Sequence, residues 1–371
     1  MTLHGKGWFI WQIPRCENGQ LAAIAETAHA AGLTHLLIKI AERTYAFGYD
    51  KDGRDLVAPV VSALRARGMG VWGWHYVYGD DPKREAEAAI KRVTQLGLDG
   101  YVIDAEAEYK RPGKASAART FMQTLRAGLP NTPIALSSYR YPSLHPQLPW
   151  AAFLEKCDWV MPQVYWEQMH NPDQQLARCV AEFANVALVG HARPLAPTGA
   201  AYGAGQWQAT PDDITKFLNK ALALKLPAVN FYSWDYARAP GHTALWDAVK
   251  NFAWPTTQTP PDIAQRFIDA LNASDLAALV RLYHLNAGHV TARRTIIGPE
   301  DLSKWYLDLL KNKLAGAKFT LLETSGKGNA RRIKWAATGP APAGKVADGD
   351  DTLGLREGLI QYHYFDNVRL A

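Results

Sequence analysis

The sequence predicts an α/β protein: a (β/α)₈ TIM barrel followed by a smaller α+β domain. Three observations predict it. Eight short apolar runs alternate with helical patterns over about 250 residues, the count and length of such a barrel. A Pro/Thr segment interrupts the pattern at 255–261. Beyond it, amphipathic helices come first and strand-like runs follow, the order of an α+β domain of about 110 residues.

The barrel strands are expected at 8–13, 35–40, 71–78, 101–106, 134–138, 159–165, 186–189 and 228–234. Each is short and apolar, as strands buried on both faces must be. The helices are expected at 21–31, 56–67, 82–96, 116–127, 173–184 and 211–224, where apolar residues recur at three- and four-residue steps. Thr210-Pro211-Asp212-Asp213 is a helix start, with a cap, a proline and two acids. A doubly wound open sheet is the alternative topology. No G-x-G-x-x-G opens a helix after the first strand, which weighs against a dinucleotide-binding version. Residues 1–254 form the expected barrel, 255–261 an extended linker and 262–371 the second domain. In that domain helices are expected at 262–272, 275–285 and 299–314, and strands of a meandering antiparallel sheet at 319–323, 330–337, 346–354 and 359–369.

Composition bounds the function. The net charge is +6, with +3 on each side of the linker and no dense basic tract, so nucleic acid is not an expected partner. No run approaches the roughly 20 apolar residues of a membrane span, and the N-terminus lacks the pattern of a signal peptide. A cytoplasmic protein, with release by a signal-independent route left open, is the expectation. Three scattered cysteines, Cys16, Cys157 and Cys179, do not make a disulfide framework. No zinc spacing, phosphate-binding loop or serine elbow occurs, and no cofactor or metal is expected. Gly199 to Gly205 reads as a flexible mouth loop after the seventh strand.

Chemistry concentrates at Gly100 to Tyr109, where an apolar run ends in Asp104, Glu106 and Glu108. On a strand, alternation puts all three on one face. Like charges so placed repel and are costly to desolvate. Paired carboxylates are what glycosidic cleavage needs: one protonates the leaving oxygen, one stabilises the cationic sugar. A solvated acidic strand end is the plain alternative. Barrel chemistry sits at C-terminal strand ends. The other candidates there are Gln12, Lys39, Glu42, His75, Tyr76, Tyr78, Tyr139, Arg140, Gln163, Tyr165, Trp166, Trp234 and Asp235. Gln163 and Tyr165 suit hydroxyl contacts. Trp166 and Trp234 suit either sugar stacking or barrel closure. His75 reads first as a hydrogen-bonded structural residue. Lys39 could pair with a carboxylate such as Glu106, which would lower that group's pKa.

Val71-Trp72-Gly73-Trp74-His75-Tyr76-Val77-Tyr78, the following Arg84-Glu85-Ala86-Glu87-Ala88-Ala89, the turn at Leu96-Gly97-Leu98-Asp99-Gly100 and Asp104-Ala105-Glu106 carry a resemblance. Over roughly residues 70–110 the chain resembles family 25 glycoside hydrolases, the lysozyme-like muramidases. The resemblance implies Glu106 as general acid and Asp104 as charge stabiliser or acetamido-orienting group, acting on a glycan such as one with N-acetylated sugars. The family also carries an Asp at the end of strand one, where this chain has Gln12. That departure leaves a carbohydrate-binding or assembly protein as the alternative.

The segments from Ala264 to Asp275, Ile297 to Leu302, Lys334 to Thr338 and Leu353 to Ile360 carry a second one. Residues 262–371 resemble the SnoaL-like, nuclear-transport-factor-2-like fold. That fold implies a cone-shaped domain, often a homodimer through its sheet, and hosts isomerases, cyclases and binding modules. An acid-base pair inside the cone would mark chemistry there, with His284, His289 and Asp348 as pocket candidates.

Overall fold

The computed structural model describes residues 3–255, 262–326, 328–339, 345–356, 358–365 and 369–370. The chain divides into two compact units, one of Met1–Leu64, Met69–Val93 and Gly100–Thr256, the other of Arg65–Gly68, Thr94–Asp99 and Thr257–Ala371. Most of the expected linker, 256–261, lies outside the described residues.

The first unit is a closed parallel barrel. Its strands are β1 (Gly5–Ile10), β2 (His35–Glu42), β3 (Gly70–Val77), β4 (Gly100–Ala105), β5 (Ile134–Tyr139), β6 (Trp159–Val164), β7 (Thr198–Ala200) and β8 (Ala228–Tyr232). Each pairs with its sequence neighbours, and β1 pairs with both β2 and β8, which closes the sheet. Helices α1 (Leu21–Ala30), α2 (Val57–Ala66), α3 (Pro82–Leu96), α4 (Lys114–Gly128), α5 (Trp150–Leu154), α6 (Pro172–Ala184), α7 (Pro211–Ala223) and α8 (Thr243–Asn251) return the chain between strands or follow the last one. Helix α7 begins at the expected start, and its cap is a reciprocal box: Thr210 accepts from the Asp213 amide and Asp213 accepts from the Thr210 amide.

Alternation divides the strand residues. Phe9, Leu37, Trp72, Trp74, Val102, Ala135, Met161 and Ala228 pack together inside the barrel. Trp8 faces outward against Phe231 and Trp246, with ring centroids 5.4 and 4.6 Å apart. Below the apolar layers, His35 Nε2 meets Asn230 Oδ1 at 2.7 Å, and Asn230 donates to the Ala196 carbonyl at 2.9 Å. These groups are buried and satisfy one another, as a barrel interior requires.

The seventh strand differs from expectation. Val186–Val189 is a short helix, because the Asn185 side chain accepts from the Ala187 amide and caps it. The true strand, Thr198–Ala200, is three residues of small side chains and carries too little apolar signal to read. Gly199 is the strand's centre: a Cβ there would lie 3.1 Å from the Phe217, Phe231 and Trp166 rings. The glycine-rich stretch is therefore part strand, and then forms a small hairpin through Gly203–Ala204 and Trp207–Gln208.

The second unit holds α9 (Ile263–Asn272), α10 (Leu276–Arg281) and α11 (Pro299–Asp308), the last continued by a π-helical turn at Leu309–Lys313. Its strands are β9 (Tyr283–Thr291), β10 (Thr295–Ile297), β11 (Lys318–Ser325), β12 (Ala330–Thr338), β13 (Lys345–Arg356), β14 (Leu359–Phe365) and β15 (Arg369–Leu370). The sheet order is β10-β9-β14-β13-β12-β11, with β15 on β13. Two expectations need correction. The second helix stops at Arg281, and the strand β9 starts at Tyr283. The sheet is not purely antiparallel, since β9 runs parallel to β14. Strand β9 was hidden by Asn286-Ala287-Gly288, where the register slips. The core gathers Phe267, Tyr306, Ile333, Trp335, Leu353 and Ile360. No helix among the described residues is long and apolar enough to cross a membrane.

A Cβ on Gly7 would meet His35 Nε2 at 2.1 Å and Asn230 Oδ1 at 2.7 Å. Gly7→Ala should therefore destabilise the barrel by about 1–3 kcal/mol through forced displacement of this pair. A denaturation midpoint equal to that of the parent protein would refute the packing argument.

Candidate active site at the barrel mouth

The site begins with the pleat of β4. Val102 and Asp104 point into the barrel, with Asp104 one residue short of the strand's end at Ala105. Glu106 leaves the strand with φ −128° and ψ −133°, and Ala107–Lys110 forms a 3₁₀ turn. The three acids thus do not share one strand face. Asp104 and Glu106 both reach the barrel cavity, while Glu108 on the turn accepts from the Tyr76 hydroxyl at 2.9 Å.

Gln163, at the end of β6, joins the pair. Its Nε2 donates to Asp104 Oδ1 at 3.0 Å and to Glu106 Oε1 at 2.9 Å. One amide nitrogen has two hydrogens, so both bonds can be made at once. Burial pushes the Asp104 carboxyl well up, and the Glu106 charge adds to it; Lys39 and Gln163 oppose. Burial also raises Glu106, against the Gln163 donor. Two buried carboxyls on one nitrogen titrate as a unit, and the unit holds a proton to higher pH than a free acid would.

Lys39 enters from β2. Its partner is Glu42, at 2.8 Å, not Glu106. Its ammonium lies 5.0 Å from the Trp74 ring centre, 4.8 Å from Phe47 and 5.6 Å from Trp11, within cation–π range. The Tyr78 hydroxyl reaches the other Glu42 oxygen at 3.4 Å. The cavity, about 210 Å³, has aromatic walls: Phe9, Trp11, Trp74, Tyr76, Tyr165 and Tyr232. Asp104, Glu106, Gln163, Lys39 and Ser137 supply the polar groups. A few convergent polar groups on an aromatic wall is the composition of a ligand site.

Six of the residues singled out from sequence meet there: Lys39, Tyr76, Asp104, Glu106, Gln163 and Tyr165. Others lie elsewhere. His75 is fully buried on the outer side of β3, with Nδ1 2.8 Å from the Tyr101 hydroxyl and Nε2 2.7 Å from the Arg43 carbonyl. The carbonyl only accepts, so Nε2 carries the proton and the tyrosine donates to Nδ1. Trp166 is buried against Phe217, and Trp234 against Trp8 and Trp246, so both close the packing behind the strands. Gln12 precedes a 3₁₀ turn, and Asp235 opens a helical turn after β8; neither lines the cavity. Sequence reasoning missed Phe9, Trp11, Trp74, Ser137 and Tyr232 as lining groups. Strand alternation could have found them, because each shares parity with an inward neighbour.

The second unit has its own polar cluster. Asp351 Oδ2 accepts from Trp335 Nε1 at 2.8 Å and from His363 Nε2 at 3.1 Å. His363 Nδ1 then accepts from the Tyr283 hydroxyl, which also meets Tyr306. His289, fully buried, stands 4.6 Å from His363 ring to ring. Of the three pocket candidates, only His289 belongs to this cluster; His284 and Asp348 are half-buried on their strands. The cluster escaped sequence reading because its members come from five separate elements. Among the described residues, no group of three or more His, Cys, Asp or Glu is placed to hold a metal ion.

Comparison with known proteins adds the following. Residues 264–363 match the family model of the SnoaL-like domain. The barrel is similar to the endo-1,4-beta-D-mannanase of Thermotoga petrophila RKU-1 (TM-score 0.51, 9% identity, covering 67% of this chain and 100% of that one). It is also similar to an alpha-L-fucosidase candidate from Bacteroides thetaiotaomicron VPI-5482 (TM-score 0.52, 12% identity, covering 67% of this chain and 92% of that one). At such identities the likeness is one of fold. No curated protein matches the chain in sequence. The chain is thus a barrel of the kind seen in glycoside hydrolase structures, followed by a SnoaL-like domain.

Burial lowers the His75 pKa to about 4. The unfolded chain binds this proton near pH 6.5 and the folded chain does not. Stability should therefore fall as pH drops from 6.5 towards 4, by on the order of 1–3 kcal/mol from this residue. Denaturation at pH 7 and pH 5 checks the sign, and His75→Gln should flatten the dependence.

Proposed function

We propose that the barrel is a glycosidase whose acid is Glu106 and whose charge-stabilising group is Asp104. The observation that carries this reading is the Asp104–Glu106 pair, bridged by Gln163 in an aromatic-walled cavity at the C-terminal strand ends. Glycosidic cleavage needs a proton on the leaving oxygen and a negative group beside the oxocarbenium-like carbon. The pair holds both in one place, and burial raises both carboxyls, so the pair retains a proton to higher pH than a free acid does. Glu106 lies beyond the strand end and is the less buried of the two, so it is the one to meet the leaving oxygen. Asp104 sits deeper, where the Lys39 ammonium favours its charge as the proton departs.

The shared amide limits the geometry. The Gln163 amide keeps one oxygen of each acid within about 6 Å of the other, and whether Asp104 or a water attacks the sugar carbon decides between retention and inversion. The substrate class is a glycan, with N-acetylated and peptidoglycan-like sugars favoured by the family 25 likeness of residues 70–110.

A second reading has one observation behind it. The end of β1 supplies Trp11 to the cavity and no acid. A barrel with that composition could bind sugar without cleaving it, with the SnoaL-like domain pairing subunits or capturing a ligand.

Release of reducing ends from peptidoglycan, chitin oligomers and plain polysaccharides separates the two. Glu106→Gln should lower turnover by at least about a hundredfold with folding intact. Saturable binding of one glycan by both proteins, with turnover by neither, would establish the second reading. Proton NMR of the first-formed product reads the anomer released and so distinguishes retention from inversion.

A further inference from the structure

Next to Glu106 the mouth changes sign. Lys110 closes the 3₁₀ turn that begins just after Glu106. Its Nζ lies 3.4 Å from His145 Nδ1 and 4.3 Å from the centre of the Tyr139 ring, which stacks on His145 at 3.8 Å. Arg140 follows Tyr139 at the end of β5. Its Nη1 donates to the carbonyl of Tyr165, a cavity residue, at 2.6 Å, and its Nε is buried with no hydrogen-bond acceptor. Neither Lys110 nor Arg140 forms an ion pair among the described residues, whereas other half-buried cations of the barrel do, including Arg126 with Asp158 and Arg238 with Glu17. Both cations hold the His145 pKa down, after burial itself, so all three groups act on one spot. Lys110 also acts on Glu106 across the edge of the cavity.

Two unpaired cations converging on a neutral imidazole repel each other and gain nothing from one another. An anion placed between them would relieve that repulsion and meet the open donors of both. We infer that Lys110, Arg140 and His145 form a subsite for an anionic group, a carboxylate or a phosphate, on the half of the glycan that leaves. The leaving-group assignment rests on the proposed role of Glu106: the acid marks the side of the bond that departs, and Lys110 ends the turn that starts beside that acid. Tyr139, stacked on His145 and half-buried, offers a flat apolar face for the ring that carries the anion. A neutral glycan would fill the cavity and leave this charge unmet.

The test is binding, so that it does not depend on turnover. Calorimetry on the full chain compares a neutral chitin tetramer, a uronate tetramer, a phosphorylated oligosaccharide of like length, and inorganic phosphate. We expect at least one anionic oligomer to bind about tenfold tighter than the neutral one at low salt, with the preference shrinking as salt is raised. Comparing the uronate with the phosphorylated oligomer identifies which anion the subsite takes. In Lys110→Gln combined with Arg140→Gln, the anionic preference should vanish. Lys110→Arg alone should retain the preference. Because Arg140 also braces the Tyr165 carbonyl, Lys110→Gln alone is the second variant, expected to lose about threefold or more of the preference. Equal affinity for neutral and anionic oligomers in the parent protein would overturn the subsite and leave the glycosidase reading standing. Binding of inorganic phosphate, sensitive to Lys110, with none of any oligomer, neutral or anionic, would keep the anion site and overturn that reading. Binding of no probe would overturn both.

Discussion

Everything at the mouth depends on β1 being used on both edges. Six residues, Gly5–Ile10, pair with β2 on one side and with β8 on the other. Without the second pairing the sheet would be an open ribbon with bare edges. With it, eight C-terminal strand ends face one space, and residues as distant in sequence as Lys39, Asp104 and Gln163 come together. The same closure decides which side chains are inside. Residues of one parity build the packed interior and, at its upper end, the site.

Putting carboxylates there has a cost, and the arrangement answers it piece by piece. Gln163 gives both acids a donor. Tyr76 takes Glu108 out of the cluster, so the cavity contains two acids and not three. Lys39 stands near Asp104 but spends its ion pair on Glu42, so it moderates the pair without neutralising it. A direct Lys39–Glu106 contact would have lowered the acid that the chemistry needs high. The Trp and Phe rings around Lys39 keep the ammonium in place while leaving the carboxyls to each other.

How much of this was legible depended on the kind of signal. Helix α3 runs over the residues that periodicity marked, and β4 ends within a residue of its expected end. Those are local properties, written in consecutive residues. Strand β7 was not legible, because Thr198-Gly199-Ala200 is held by pairing to its neighbours and by rings from Phe217, Phe231 and Trp166 that pack over a glycine. The acidic triplet was legible as a site but not as a geometry: the break at Glu106 is a backbone event that no side-chain pattern announces. His75 stands at a strand end in sequence and faces the other way, since one step along a strand changes sides, and Trp234 lies past the strand, at the start of a helical turn. The unmet charge of Lys110 and Arg140 was beyond reach as well, because only the fold shows which acids are too far away to pair with them.

The hydrogen-bond chain in the second unit has a polarity that follows from one atom. Asp351 can only accept, so His363 must donate from Nε2 and accept at Nδ1; Tyr283 must then donate to it and receive from Tyr306. Every hydroxyl rotor and ring tautomer in the chain is therefore set from the carboxylate outward, like a line of dominoes that can stand only one way. Replacing Asp351 by a donor would not loosen one contact but reverse the sense of all that follow.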